Sequence, residues 1–217
     1  MGPRKFPSMR FVGDRHRYLL NLVKGKEVLH VGCAQFADQI NRNLHVKVTE
    51  VAKYALGIDI DHQGIECLKR LGQEVRVCNA LNMAEEIDDK FDVVLIPEVL
   101  EHIGCPLCVL KQARKLIKKG GMVIVSGPNS FSLRRWIWAI VGREAESEDH
   151  RFTFHPSGLM LLCQDAGLNN VVRLYSALES SHFSSVRHRL SNLLLRPIFQ
   201  FFPHFSDSII VVAVDDI

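Results

Sequence analysis

Five short apolar runs, EVLHV (27–31), ALGID (55–59), EVRVC (74–78), DVVLI (92–96) and GMVIVS (121–126), succeed one another with stretches between them long enough to hold a helix. No other feature restricts the fold more. The runs are continuously apolar instead of alternating, as strands covered on both faces are, and their connections are too long for hairpins. Right-handed crossovers then place the strands in parallel, and an α/β fold follows, with helices on both faces of a mostly parallel sheet.

Around this core the pattern predicts a polar helix near 13–24 and a helix over 104–118. The latter closes in KKGG, where Lys118 and Lys119 suit the negative end of the helix dipole and Gly120 or Gly121 a left-handed stop. Helices are expected around 131–141 and 156–166 with a polar connection at 143–150, then NVVRLY (170–175), a basic amphipathic stretch at 184–200 broken by Pro197, and a last strand SIIVVAV (208–214). At 217 residues this is one domain with insertions: an N-terminal helical segment 1–26, a core 27–130, a lid or acceptor-site insertion 131–155, and C-terminal helices with the last two strands over 156–217.

Apolar residues at 47% and charged residues at 24% fall outside disordered, collagen-like and membrane-spanning compositions. A net charge of +3 on 27 basic and 24 acidic residues gives little reason to expect a duplex nucleic acid as partner. Met1 to Arg10 has no apolar signal region and runs such as WIWAIV are too short to span a bilayer, so the expected location is cytoplasmic. The six cysteines lie mostly within strand or helix patterns, and we expect reduced, buried thiols. Cys105 and Cys108 alone form a CxxC pair, without the second pair or histidines a zinc knuckle needs.

Ligands of an open parallel sheet collect beyond the carboxyl ends of its strands. Gly32 follows the first run directly, where a bare backbone lets N–H groups approach a ligand. A dinucleotide turn would need three glycines to receive a pyrophosphate, and Ala34 and Phe36 stand where further small residues would be wanted. Asp59 ends the second run, 27 residues after Gly32, where a carboxylate can accept both hydroxyls of a ribose. Asn79 and Ala80 end the third and could read an adenine edge. A nucleoside without a pyrophosphate satisfies these features.

The ordered series VLHVGC, GIDID, CNAL, FDVVLIPEVLEHI and LIKKGGMVIVSGPN, over residues 27 to 130, resembles the motifs of class I S-adenosylmethionine-dependent methyltransferases, of the branch with an EH dipeptide after strand four. HRFTFHPSGLMLLCQDAGL continues the resemblance, which covers about two thirds of the chain. It implies a Rossmann-like seven-stranded sheet in which SIIVVAV is the antiparallel strand, hairpinned with NVVRLY. It also implies S-adenosyl-L-methionine as cofactor, held by His30, Gly32, Cys33 and Ala34, by Asp59 and Ile60, by Asn79, Ala80 and Leu81, and by Pro97 with Glu98. The family usually has an acid where His30 stands.

Methyl transfer from a sulfonium needs the nucleophile held in line, and an oxygen nucleophile benefits from a base. Glu98, Glu101 and His102 stand at i, i+3 and i+4, on one side if the segment is helical, with His102 the leading base. Glu101 and His102 can equally cap and orient a helix entry. A third reading is a divalent cation, since ExxEH is similar to the metal-binding segment of ubiquinone-pathway O-methyltransferases and small-RNA 2′-O-methyltransferases; the preferred assignment is without metal. In the insertion, Arg134, Arg135, Arg151, His150 and His155 could meet anionic groups of an acceptor, and Trp136, Trp138, Phe152 and Phe154 could wall it; two tryptophans at i, i+2 diverge, so ordinary packing is expected of at least one.

The stretch 184–202, with Arg187, Arg189 and Arg196 beside Leu193, Leu194, Phe199 and Phe202, could contact a membrane peripherally; covering a sheet edge or making a dimer contact is the commoner use. The resulting expectation is a monomeric or dimeric methyltransferase acting on an oxygen or nitrogen of a small-molecule, sugar or lipid-linked acceptor. Rival readings are a metal-dependent RNA 2′-O-methyltransferase and a non-catalytic nucleoside-binding protein; the missing glycines disfavour a dinucleotide oxidoreductase.

Overall fold

The computed structural model describes residues 5–169, 171–178 and 186–214, with the backbone alone at 171, 172 and 186–189. The chain runs β1 (Arg10–Asp14), α1 (Arg15–Val23), β2 (Glu27–Val31), α2 (Leu44–Val51), β3 (Tyr54–Asp59), α3 (His62–Arg70), β4 (Val75–Val77), α4 (Met83–Glu86), β5 (Phe91–Pro97), α5 (Pro106–Leu116), β6 (Ile117–Pro128), α6 (Leu133–Ile140), α7 (Pro156–Asp165), β7 (Val171–Leu178), α8 (Val186–Phe201) and β8 (Ser208–Val214). The sheet order is β1-β7-β8-β6-β5-β2-β3-β4. β8 is antiparallel to both neighbours, β6 and β7, and the other pairs are parallel.

All seven expected strands are present, and the sheet has an eighth. It comes from the N-terminal segment: Arg10 to Asp14 is extended and pairs in parallel with β7, leaving the helix to start at Arg15 under an Asp14 cap. A short polar strand ahead of a helix carries no periodic signal, and partner-strand hydrogen bonds decide it. The helix over 104–118 ends earlier, at Leu116, and KKGG belongs to β6. Gly120 does adopt φ +71°, but at a bulge, where β5 advances from Phe91 to Val93 while β6 advances from Ile117 to Met122.

The continuous apolar strands serve two cores. Leu29, Val31, Val94 and Ile96 pack with α5 and α7 on one face; Val28, Val93 and Leu95 pack with Leu19 and Val23 of α1 and Val48 of α2 on the other. Cys33, Cys78 and Cys163 are free and buried and Cys67 is free and half-buried, as expected of thiols in such patterns. Cys105 and Cys108 depart from that expectation: Cys105 caps α5, one turn places Cys108 beside it, and the two are joined as a disulfide with Cα atoms 5.3 Å apart.

The chain leaves β2 toward β3 and β4, then returns to β5 on the other side. The order therefore reverses between β2 and β5, which is where a doubly wound sheet opens a crevice.

Candidate functional site

Among the described residues two non-glycines have left-handed backbones, Phe36 (φ 56°) and Glu98 (φ 52°), in the segments leaving β2 and β5 respectively. Such conformations cost about 1–3 kcal/mol each and persist where the surroundings enforce them. Gly32 (φ +78°) approaches Val99 so closely that an added Cβ would lie 2.4 Å from its Cγ2. Buried Asn43 caps α2 and donates from Nδ2 to the carbonyls of Cys33 and Gln35, at 2.9 Å each, holding the turn in place. The Phe36 ring lies under the Arg42 guanidinium, 4.5 Å from its centroid.

Asp59 closes this corner. Its carboxylate accepts from Ala34 N at 2.8 Å and Asp61 N at 3.0 Å, tying the β2 turn to the end of β3. Asn79 Oδ1 accepts from Leu81 N at 3.0 Å, Ala80 is buried, and Ile60 and Leu81 are exposed beside them. Between β2 and β5 lies a narrow cleft lined by His30, Gly32, Cys33, Pro97 and Glu98, among others. Of the residues expected to hold a cofactor, His30, Gly32, Cys33, Pro97 and Glu98 line this cleft, and the bond from Ala34 N to Asp59 ties the end of β3 to the β2 turn.

Arg15 and His16 also line it, and sequence reasoning missed them. Arg15 is buried, donates to Glu98 at 2.7 Å and to Ser208 Oγ at 3.2 Å, and its Nε finds no acceptor among the described residues. The only local signal was Asp14 capping α1. Glu98 also accepts from Ser126 Oγ at 3.0 Å. His30, where an acid is usual, sits buried with Nδ1 3.3 Å from Nδ1 of His45. Burial, with His45 and His16 nearby, pushes His30 well below the usual imidazole range, and burial takes His45 down to about 4.

Glu98, Glu101 and His102 do not share a helix. Glu98 precedes a single 3₁₀ turn over Leu100–His102, and its left-handed backbone turns it toward Arg15. Glu101 is fully buried with neither carboxylate oxygen hydrogen-bonded among the described residues; burial, reinforced by Glu98, pushes its carboxyl up to about 9. His102 Nδ1 lies 3.2 Å from Asp149, and its ring is 4.8 Å from that of His150. One ligand atom from each of Glu101, His102 and His150 falls within 4.8 Å of the others. Backbone bonds from Arg151 N (2.8 Å) and Phe152 N to the Glu101 carbonyl bring the insertion here.

The proposed acceptor residues divide. Arg135 and His150 grip Glu146 and line an open groove of about 540 Å³ with Arg143, Arg151 and Phe152. Burial raises Glu146, but the bonds from Arg135 and His150 outweigh it and hold its carboxyl below the usual range. Arg134 turns the other way, to Asp207 at 2.6 Å and Ser191 at 3.2 Å. His155 caps α7, accepting from Gly158 N at 3.0 Å, and Phe154 is buried. Neither tryptophan packs in the core, against the expectation for at least one: both are exposed, with the Arg143 guanidinium 5.7 Å from the Trp138 ring centroid.

This geometry defines a class: an open α/β sheet with a cleft at its switch point and a titratable cluster beside it. Residues 8–172 match the family model described as a methyltransferase domain. The ubiquinone biosynthesis O-methyltransferase of Pseudomonas paraeruginosa is 31% identical over 154 residues, 66% of this chain and 65% of that protein, so the chain spans about 65% of the length of such relatives. A S-adenosylmethionine-dependent methyltransferase structure from Archaeoglobus fulgidus superposes with TM-score 0.60 at 18% identity, over 92% of this chain and 90% of that one. The small RNA methyltransferase HEN1 gives TM-score 0.64 at 16% identity, over 99% of this chain and 27% of that one. The chain belongs to the methyltransferase domain family and carries its class I fold.

Proposed function

We propose that the protein binds S-adenosylmethionine between Gly32 and Glu98 and transfers its methyl group to an oxygen of a small-molecule acceptor. The observation that carries this reading is the adjacency of the β2–β5 crevice to Glu101, His102 and His150. Beside it, Asp59 has acceptor capacity left for the ribose hydroxyls, and Asn79 with Ala80 is assigned to the adenine edge. The Nε of Arg15, without an acceptor among the described residues, suits the methionyl carboxylate. Glu98, the one carboxylate among the described lining residues, is the acid for the cationic end of the cofactor. The acceptor enters from the groove beside His150; its oxygen bonds the methyl carbon as the carbon–sulfur bond breaks, and the oxygen's proton passes to His102. An oxygen acceptor, rather than nitrogen, accords with the relatives' name. The low net charge argues against an RNA acceptor.

A second reading of the same cluster is a divalent cation on Glu101, His102 and His150, favoured by the buried carboxylate of Glu101 with no hydrogen-bond partner among the described residues. Such an ion would supply Lewis-acid charge at the acceptor oxygen. Thermal shift tests the reading: S-adenosylmethionine and S-adenosylhomocysteine should raise the melting temperature and NAD should not, and Asp59→Ala should lose the shift. Stabilisation by NAD alone overturns it. Loss of transfer on chelation, restored by magnesium, selects the cation over the base.

A further inference from the structure

Helix α6 has no buried residue. Trp136 (53% exposed), Ile137, Trp138, Ile140 (82%) and Val141 all stand open to solvent. Arg134 joins this helix to α8 through Ser191 and Asn192, and to the segment before β8 through Asp207. α8 is similarly one-sided. Phe199 is fully buried, its ring 6.0 Å from that of Phe11 on edge strand β1, while Leu190, Leu193, Leu194 and Phe201 are 58–79% exposed. At 100° per residue those four cluster on the side of α8 opposite Phe199.

Two helices joined through Arg134 therefore expose these nine large apolar side chains between them, counting Val141 at the end of α6. Their charge is one-sided too: α6 and α8 contain five arginines (134, 135, 187, 189 and 196) and no aspartate or glutamate. Arg134 and Arg135 are paired with Asp207 and Glu146, and Arg196 is exposed. Glu144 and Glu148 line the groove beside His150. Exposed tryptophan and leucine beside Arg196, on two helices whose own sequences hold no acid, are the chemistry of a surface that lies in a headgroup layer, where aromatic rings bury partway and a guanidinium meets phosphates.

We propose that α6 and α8 together dock the protein on the surface of an anionic lipid bilayer, without crossing it; among the described residues no helix is long and apolar enough to span one. The face flanks the groove beside His150, so a docked molecule would hold its acceptor entrance near the headgroups. The docking itself does not depend on the methyl-transfer reading.

The full chain should float with phosphatidylcholine vesicles containing phosphatidylglycerol and not with phosphatidylcholine alone, and retention should fall as salt rises. Its two tryptophans are both exposed on α6, so vesicle addition should shift the emission of whichever enters the headgroup layer to the blue. Leu193→Glu with Leu194→Glu should lower retention at least about tenfold with an unchanged circular dichroism melt. Ile140→Glu on α6 should do the same, and stands in if the double variant fails to fold. Absence of retention on phosphatidylglycerol vesicles, or equal retention of wild type and a folded variant, overturns the proposal. A wild-type dimer that the variants dissolve, with vesicles bound by neither, overturns it too and assigns the face to a second copy.

Discussion

At the carboxyl end of the sheet, the corner between β2 and β5 and the helix pair α6–α8 stand near each other and are built on opposite principles. The corner is closed by backbone: Gly32 leaves no room for a side chain, Asn43 pins two carbonyls, and Asp59 takes the Ala34 N–H. The helix pair is held by Arg134, Arg135 and Asp207 and by the buried Phe199, and most of its other large apolar residues face outward. A crevice that receives one small molecule must be made in advance, because ordering it on binding would weaken the affinity. A surface that meets a large apolar or charged partner can leave its energy unspent in the free protein.

The largest expected consequence of that contrast is at Gly32. Alanine there would set a Cβ 2.4 Å from Val99 Cγ2 and hold a left-handed backbone with a side chain, so Gly32→Ala should destabilise by about 2–4 kcal/mol and abolish the cofactor thermal shift. Urea melts measure the first and differential scanning fluorimetry the second; a near-neutral variant that still binds would mean the corner is not preformed.

The cluster beside the corner should show in the pH dependence. The native state keeps Glu101 protonated up to about 9, whereas in the unfolded chain it ionises near its ordinary value. The native state therefore holds more protons between those values, and stability should fall as pH rises, by at most about 1.4 kcal/mol per unit. His30 and His45 act the other way: neutral when folded, they lose stability as pH drops below the ordinary imidazole value of roughly 6.5. The window from about 6.5 to 8 thus isolates Glu101, and Glu101→Gln should flatten the slope there. Equal slopes in the two proteins would show that the carboxyl is already ionised, as a bound cation would make it.

The smallest effect belongs to the helix pair. Ile140→Ser should change stability by no more than about 0.5 kcal/mol, since Ile140 is 82% exposed; a loss above about 2 kcal/mol, typical of a core aliphatic, would mean the side chain is covered in the free protein.

Much of the corner was legible because its parts are local. A strand, a glycine and an acid at the end of the next strand can be read in order, and each had to be near the others once the strands were parallel. Arg15 was not legible, since a guanidinium seventeen positions before Gly32 reaches Glu98 only because β1 pairs with β7 and aims α1 at the crevice. The same limit applies to Glu98 and Glu101: i, i+3 spacing suggests a common helical side, yet a left-handed Glu98 sends one carboxylate to Arg15 while the other is buried.

Apolar runs and turn residues decided the sheet, its parallel sense and the place of the crevice, because those follow from forces between residues close in the chain and from burial on two faces. Which acids are buried or paired, that Arg134 and His155 brace helices while Arg135 and His150 line the groove, and that both tryptophans face solvent were settled only by assembly. Burial, charge pairing and exposure are properties of distant segments brought together, and no local pattern of residues encodes them.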